Sequence, residues 1–252
     1  MDCSGTMNTR RWIDAAQLAL YHPDWWRAYL RGGRAELLRA VVRSDIVALR
    51  AKNLPSSFDE LAHRRSVGSL GKLGSPQEYL YFVVRLLKPR ALVETGVFRG
   101  VSTAFILAAL ADNGSGHLHS IDLPNASYVT DGNRNLVYRD ATGRWSESET
   151  GLAIPRELRT HWTLHLGDSK SILPPLLESL GTIDFFFHDS EHTYETMTWE
   201  YLQALRHLRP GGLLASDDVF WNSAFQDFTA AHPHAWHETI LGRLGLMLLS
   251  PA

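Results

Sequence analysis

The sequence predicts an α/β fold: a doubly wound sheet of seven strands, mostly parallel and ending in an antiparallel hairpin, with a helical extension ahead of it. Three observations carry this expectation. Ala91-Leu-Val-Glu-Thr-Gly-Val-Phe-Arg-Gly-Val-Ser-Thr103 runs from an apolar strand through a glycine turn into a helix of small and apolar residues, Ser102 to Leu110. Five strand-like runs each end in an acid, at Glu94, Asp122, Asp168, Asp189 and Asp217-Asp218. His234 to Ile240 and Leu244 to Leu249 then read as two strands joined through Gly242. Open α/β sheets bind ligands beyond the carboxyl ends of their strands, so one acid there is an ordinary cap, whereas five in agreement mark a site. At 252 residues and 44% hydrophobic content, the chain can bury a core as one such domain with appendages.

Taken in order, residues 1–9 are polar. Arg11 to about Leu49 is helical in pattern. Trp12, Ala15-Ala16 and Ala19 form one apolar stripe; Leu37-Leu38, Val41-Val42, Ile46 and Leu49 form another, with Pro23 and Gly32-Gly33 as punctuation. Trp25, Trp26 and Tyr29 suit core packing, with a substrate pocket or a dimer contact as alternatives. Residues 51–74, carrying Pro55, Gly68, Gly71 and Gly74, read as a connector and candidate lid. The extension is therefore drawn as 1–74 and the main domain as 75–252. Ser75-Pro76 starts a helix whose apolar face is Tyr79, Phe82-Val83 and Leu86-Leu87, and Lys88-Pro89 stops it.

After the glycine turn, His117 to Leu123 is the second strand. Residues 124–162 form a long polar insertion, expected to cover the active site in part, with Tyr128, Tyr138 and Trp145 as candidate substrate contacts. Thr163 to Ser169 is the third strand, and Asp168 is placed to cap the helix Ile172 to Leu180. Ile183 to Asp189 is the fourth, followed by a helix with Met197, Tyr201, Ala204-Leu205 and Leu208 on one face. Leu208 to Val219 supplies a helix stop, a glycine turn and a fifth strand ending in paired acids.

The turn at Gly96 to Gly100 has the character of a nucleotide-cofactor loop. Gly96 lets backbone approach a ligand, Gly100 lets helix and strand pack closely, and the helix N-terminus presents free N–H groups. Three residues separate the glycines and the acid precedes them, which is not the G-x-G-x-x-G of pyrophosphate binders. Glu94-Thr95-Gly96-x-x-x-Gly100-x-Ser102 instead resembles motif I of class I S-adenosylmethionine (SAM) methyltransferases. The resemblance is greatest to the branch holding catechol O-methyltransferases and macrocin-type antibiotic-sugar O-methyltransferases (methyltransferase family 24-like). Phe187-His-Asp-Ser-Glu-His-Thr-Tyr194 resembles that branch's D-G-D-H-x-Y segment, with Ser190 in place of glycine and Glu191 in place of aspartate. Ser216-Asp217-Asp218-Val219-Phe-Trp221 resembles its D-[ND]-V-x-W segment.

This resemblance covers roughly residues 75–250. It implies a Rossmann-like sheet and a SAM site drawn from Glu94, Thr95, Gly96, Gly100, Ser102, Asp122, Asp168, Ser169 and His188. Asp168-Ser169 would lie beside the adenine. Asp122, 22 residues beyond Gly100, suits a bidentate grip on ribose hydroxyls, which SAM and NAD share. His188 also fits packing within the sheet. The resemblance further implies a divalent ion at Asp189, Asp217 and Asp218. Hard carboxylates without cysteine favour Mg²⁺ (or Mn²⁺ or Ca²⁺) over zinc. The alternative is that Asp189 and Asp218 cap helices and hold no metal.

Methyl transfer requires a hydroxyl aligned with the methyl and relieved of its proton. His192 is the first candidate for general base and Asp189 the second. The expected reaction is metal-assisted O-methylation of a small molecule such as a sugar, polyketide or catechol-like natural product. The alternatives are a metal-independent enzyme using His192, or a non-catalytic SAM-binding or hydroxylase-partner protein. The formal charge of −2 gives no case for nucleic acid, and no apolar run nears the ~18 residues of a membrane span. One cysteine, Cys3, excludes a disulfide framework. A cytoplasmic protein is expected, with the N-terminal helices available for homo-oligomer contacts.

Overall fold

The structure, a computed structural model, describes residues 23–44, 76–124, 127–130, 136–140 and 150–250. The expectations for residues 1–9, the stripe from Trp12 to Ala19, the connector 51–74 and Trp145 lie outside the described residues. The chain divides into two compact units, Met1–Leu54 and Pro55–Ala252.

In the first unit, helix α1 (Pro23–Val42) is interrupted at Gly32-Gly33, where Gly33 takes φ 64°. A residue without Cβ enters that left-handed region at little cost, so the glycine pair sets the kink. Trp25, Leu37, Leu38 and Val41 are buried. The Trp25 indole donates to Ser44 Oγ at 3.0 Å, and Ser44 Oγ donates to the Ala40 carbonyl at 2.8 Å. Trp26 and Tyr29 stack with ring centroids 6.2 Å apart.

The second unit alternates strand and helix as the apolar pattern requires. Helix α2 (Pro76–Leu87) leads into β1 (Ala91–Thr95), and α3 (Val101–Asn113) into β2 (His117–Asp122). The insertion contains a separate antiparallel pair, β3 (Ser127–Thr130) and β4 (Leu136–Asp140), in which Tyr128 stands opposite Tyr138. A short 3₁₀ helix (Arg156–His161) then enters β5 (Trp162–Leu166). Next come α4 (Ser169–Leu180), β6 (Ile183–His188), α5 (Tyr194–Leu205) and β7 (Leu208–Ser216). Helix α6 (Ala224–Ala230) and the hairpin β8 (Trp236–Ile240) and β9 (Leu244–Leu248) complete the unit.

The main sheet has the order β5-β2-β1-β6-β7-β9-β8. Its first five members are parallel and β9 runs antiparallel to both β7 and β8. The chain winds outward from β1 to β5, then returns to β6 and winds the other way. The switch point between β1 and β6 is where an open α/β sheet leaves a crevice.

Burial on both faces explains the near-continuous apolar strands. On one face Val93, Ile121, Phe186, Leu214 and Met247 pack with Leu173 and Leu177 of α4, Met197 and Tyr201 of α5, and Phe225 and Phe228 of α6. On the other lies α3, buried from Ser102 to Leu110, which fits its lack of a polar side. Helix α2 joins α3 through Tyr81 Oη, which donates to Asp112 at 2.8 Å, and Asn113 Nδ2, which donates to the Val84 carbonyl at 3.1 Å. The sequence did not predict α6. Its Phe225 ring lies where a side chain at Gly245 would stand, 2.6 Å from an added Cβ, so that glycine lets the helix lie flat on β9.

Candidate functional site

The turn after β1 is built by backbone proximity. Gly96 donates its N–H to the Ile121 carbonyl at 2.8 Å, and the Asp189 N–H donates to the Thr95 carbonyl at 2.8 Å. With φ at 84°, an added Cβ on Gly96 would stand 1.9 Å from the Asp189 carbonyl oxygen. Only glycine lets the chain leave β1 and β6 this close together. Gly100, φ 82°, takes the left-handed position before α3, and its open side faces Ile154 and Gly151, not the strand. The end of the 124–162 insertion therefore braces the turn. Gly151 N–H donates to the Phe98 carbonyl and Ala153 N–H to the Arg99 carbonyl, both at 2.8 Å.

Asp122, 5% exposed at the end of β2, organises this turn. Its Oδ1 accepts the N–H groups of Val97 (2.8 Å) and Phe98 (3.2 Å), and its Oδ2 accepts the Thr150 hydroxyl at 3.2 Å. Each oxygen has two lone-pair directions, so Oδ2 retains one for a ligand hydroxyl. Asp168 caps α4, accepting the Lys170 N–H at 2.9 Å. Beside these groups lies a cleft of about 470 Å³, lined among others by Gly96, Asp122, Asp168, Ser169, Asp189 and Glu191. Its size and its strand-end carboxylates fit an adenosine-type cofactor.

The other sequence-predicted cofactor residues stand behind the cleft. Glu94 is fully buried and accepts the hydroxyls of Thr103 (2.9 Å) and Ser120 (2.6 Å), tying β1 to α3 and β2. Burial pushes its carboxyl up to about 8, opposed by those two hydrogen bonds. Thr95 donates to Glu200 of α5, and His188 Nδ1 lies 2.7 Å from the same carboxylate. Ser102 donates to Asp189 Oδ2 at 3.0 Å. These residues hold the ends of β1 and β6 in place and do not line the cleft.

The proposed metal ligands meet a cation from the chain itself. Arg243, in the β8–β9 turn, forks onto Asp217: Nε donates to Oδ1 at 3.1 Å and an Nη donates to Oδ2 at 3.0 Å. Its Nε also comes within 2.7 Å of Asp218 Oδ1, a charge contact without hydrogen-bond geometry, since the single Nε–H is directed to Asp217. Asp218 adopts φ 50°, a left-handed conformation that suits Asp better than most residues. Burial, then the neighbouring Asp217, pushes Asp218 up to about 6, against the pull of Arg243. Burial together with Asp217 and Glu94 raises Asp189 well above the usual carboxylate range, opposed by the Ser102 hydrogen bond. Among the described residues, no group of three or more His, Cys, Asp or Glu side chains is arranged to hold a metal ion. The donor set does not fit the expected divalent ion while Arg243 occupies it.

His192 is 5% exposed, and its ring packs edge-on to His188 with centroids 5.2 Å apart. Neither ring nitrogen makes a hydrogen bond of normal geometry among the described residues. Burial, then His188 and Arg243, lowers it to about 3, so the imidazole is neutral near pH 7 and a weak base. It does not line the cleft, whereas Asp189 does. Sequence reasoning missed Arg243, Glu200, Lys170 and Thr150. Only Lys170, beside Asp168, carried a local signal.

The family described as "Methyltransferase domain" matches residues 93–219, half of the chain. A catechol O-methyltransferase from Niastella koreensis is 26% identical over 186 residues, 70% of this chain and 74% of that protein. Among solved structures, an SAH-bound methyltransferase of Podospora anserina is 14% identical with a TM-score of 0.51, covering 77% of this chain and 88% of that one. Cofactor-bound Rv0187 from Mycobacterium tuberculosis is also 14% identical, with a TM-score of 0.52, over 82% and 97% of the two chains. At these identities the structural likeness is one of fold.

Proposed function

The chain belongs to the methyltransferase-domain family, and from that premise we propose that it transfers a methyl group from SAM to a hydroxyl oxygen of a small molecule. The observation that carries this reading is the cleft at the β1–β6 switch point, where Asp122, Asp168 and Asp189 share one lining with the glycine turn. Support for oxygen as the acceptor atom comes from the Niastella koreensis relative, a catechol O-methyltransferase. Support for SAM comes from the SAH-bound state of the Podospora anserina neighbour.

SAM supplies an electrophilic methyl on a good leaving group, so the protein's task is alignment and proton removal. Asp122 presents its free lone pair to a ribose hydroxyl, and Asp168 and Ser169 line the same cleft. Asp189 is the general base in this reading. It lines the cleft, Ser102 fixes one of its oxygens, and its raised pKa makes it a stronger base than an ordinary carboxylate. His192, first choice on sequence grounds, is neutral but too weakly basic and too enclosed to compete. Mg²⁺ has no part in this reading, because Arg243 already pairs with Asp217 and Asp218, two of the three carboxylates that would hold it.

The Val219 N–H donates to the Arg243 carbonyl at 3.0 Å, which joins the loop after β7 to the β8–β9 turn. Phe220, next to Val219, and Leu241, in the β8–β9 turn, are 60% and 65% exposed and are apolar side chains available to an aromatic or polyketide acceptor. Among the described residues no helix is long and apolar enough to cross a membrane. A cytoplasmic setting, a role in natural-product synthesis and pairing through the N-terminal helices belong to the same proposal. Incubating the protein with SAM and catechol, sugar and polyketide hydroxyl acceptors tests it. S-adenosylhomocysteine and methyl ether formed together support O-methylation; methylation only of amines or carbons contradicts it.

A further inference from the structure

The strand-end carboxylates pose an electrostatic problem that the sequence alone leaves open. Asp189, Asp217 and Asp218 follow adjacent strands, and each raises or is raised by another. Asp217 is 2% exposed, and a buried carboxylate persists only if it is paired, hydrogen-bonded or neutralised. Arg243 meets that need with the geometry best suited to a carboxylate, a two-point fork onto Asp217, and its charge stands 2.7 Å from Asp218 Oδ1 without a hydrogen bond to it. The position is anchored on both sides. Arg243 N–H donates to the Ile240 carbonyl at 2.9 Å within the tight β8–β9 turn, and its own carbonyl accepts the Val219 N–H next to Asp218. The side chain is 42% exposed, so it enters from the rim and leaves part of its guanidinium open.

We propose that Arg243 is the resident cation of this site, a positioning residue that holds Asp217 and Asp218 and excludes a divalent ion from them. A guanidinium is always charged and its geometry is fixed. It therefore keeps the two carboxylates oriented whether or not metal is present, and the reaction proceeds in chelator. A hard cation needs the same oxygens with their lone pairs free, so ion and guanidinium compete. Removing the guanidinium turns the carboxylates into a Mg²⁺ or Mn²⁺ site. This inference rests on the methyltransferase reading only for the statement about the reaction; the exclusion of metal stands on the ion pairs alone.

The test compares wild type, Arg243→Gln and Arg243→Lys. Mn²⁺ binding is titrated by electron paramagnetic resonance, and melting is followed in Mg²⁺ and in EDTA. SAH affinity is measured in parallel, so that loss of the cofactor site is told apart from failure of the metal argument. Wild type and Arg243→Lys are expected to leave Mn²⁺ free and to melt alike in both buffers. Arg243→Gln is expected to bind Mn²⁺ and to gain about 3 °C or more in millimolar Mg²⁺. Stoichiometric Mn²⁺ on wild type or on Arg243→Lys overturns the proposal, as does an Arg243→Gln protein that folds and ignores both ions. Should Arg243→Gln not fold, the wild-type and Arg243→Lys titrations still decide it.

Discussion

Replacing Gly96 by alanine probes the closest backbone approach in the site. Two costs combine there. The first is a left-handed conformation at φ 84°, which costs an L-residue about 1–2 kcal/mol. The second is collision of the new Cβ with Asp189 O at 1.9 Å, and with the Asp189 carbonyl carbon at 2.4 Å. Both struck atoms are backbone, so no rotamer change relieves the contact, and β1 and β6 must separate at their ends. Overpacking of that kind costs about 1–3 kcal/mol. Gly114→Ala serves as the control: φ is 62° and, among the described residues, nothing lies within 4 Å of the added Cβ. Urea denaturation should show about 1 kcal/mol lost at Gly114 and about 2–5 kcal/mol at Gly96. Calorimetry should show weakened SAH binding only for the Gly96 variant. Equal losses at the two positions would refute the reasoning, since they would mean that the Asp189 backbone does not constrain the turn.

Glu94→Gln tests the buried acid behind the turn. Its carboxyl is held near 8 in the folded protein and titrates in the ordinary carboxylate range when unfolded. Its stabilising effect is therefore complete in acid and is lost as pH rises through about 8, at up to ~1.4 kcal/mol per pH unit. Denaturation at several pH values should show this slope in wild type and a flatter one in the glutamine variant; parallel slopes argue against a protonated Glu94. Asp189→Asn should retain SAH binding and lose at least about 100-fold in kcat, the low end of what a positioned base contributes. Because burial and like charges raise Asp189, wild-type kcat should climb with pH through a limb above the usual carboxylate range. A profile flat across that region, or near-normal turnover in the asparagine variant, removes Asp189 as the base.

The sheet was legible because buried parallel strands declare themselves: Ala91-Leu92-Val93 and Phe185-Phe186-Phe187 are apolar runs, the first stopping at Glu94 and the second passing through His188 to Asp189. What sequence could not give was direction. Side chains alternate across a sheet, so a residue at a strand end faces either the ligand or the packing beneath it. Thr95 and His188 both meet Glu200, an acid inside α5 that no motif marks, and Glu94 meets Thr103 of α3. Asp122 and Asp189 reach the cleft instead. Long-range partners were hidden for another reason. Arg243 comes to Asp217 only because β9 folds back antiparallel on β7, pairing Ser216 with Gly245. Thr150 reaches Asp122 from the end of an insertion whose polar composition said nothing of where it returned.

Calorimetric titration with S-adenosylhomocysteine, in EDTA, of wild type and of Asp122→Ala tests the central claim most directly. A cleft organised by Asp122 and the glycine turn predicts one molecule bound per wild-type chain, with affinity unchanged by added Mg²⁺. It also predicts a loss of at least about tenfold when the carboxylate that holds Val97, Phe98 and Thr150 is removed. No binding to wild type, or equal binding to both proteins, would contradict the account.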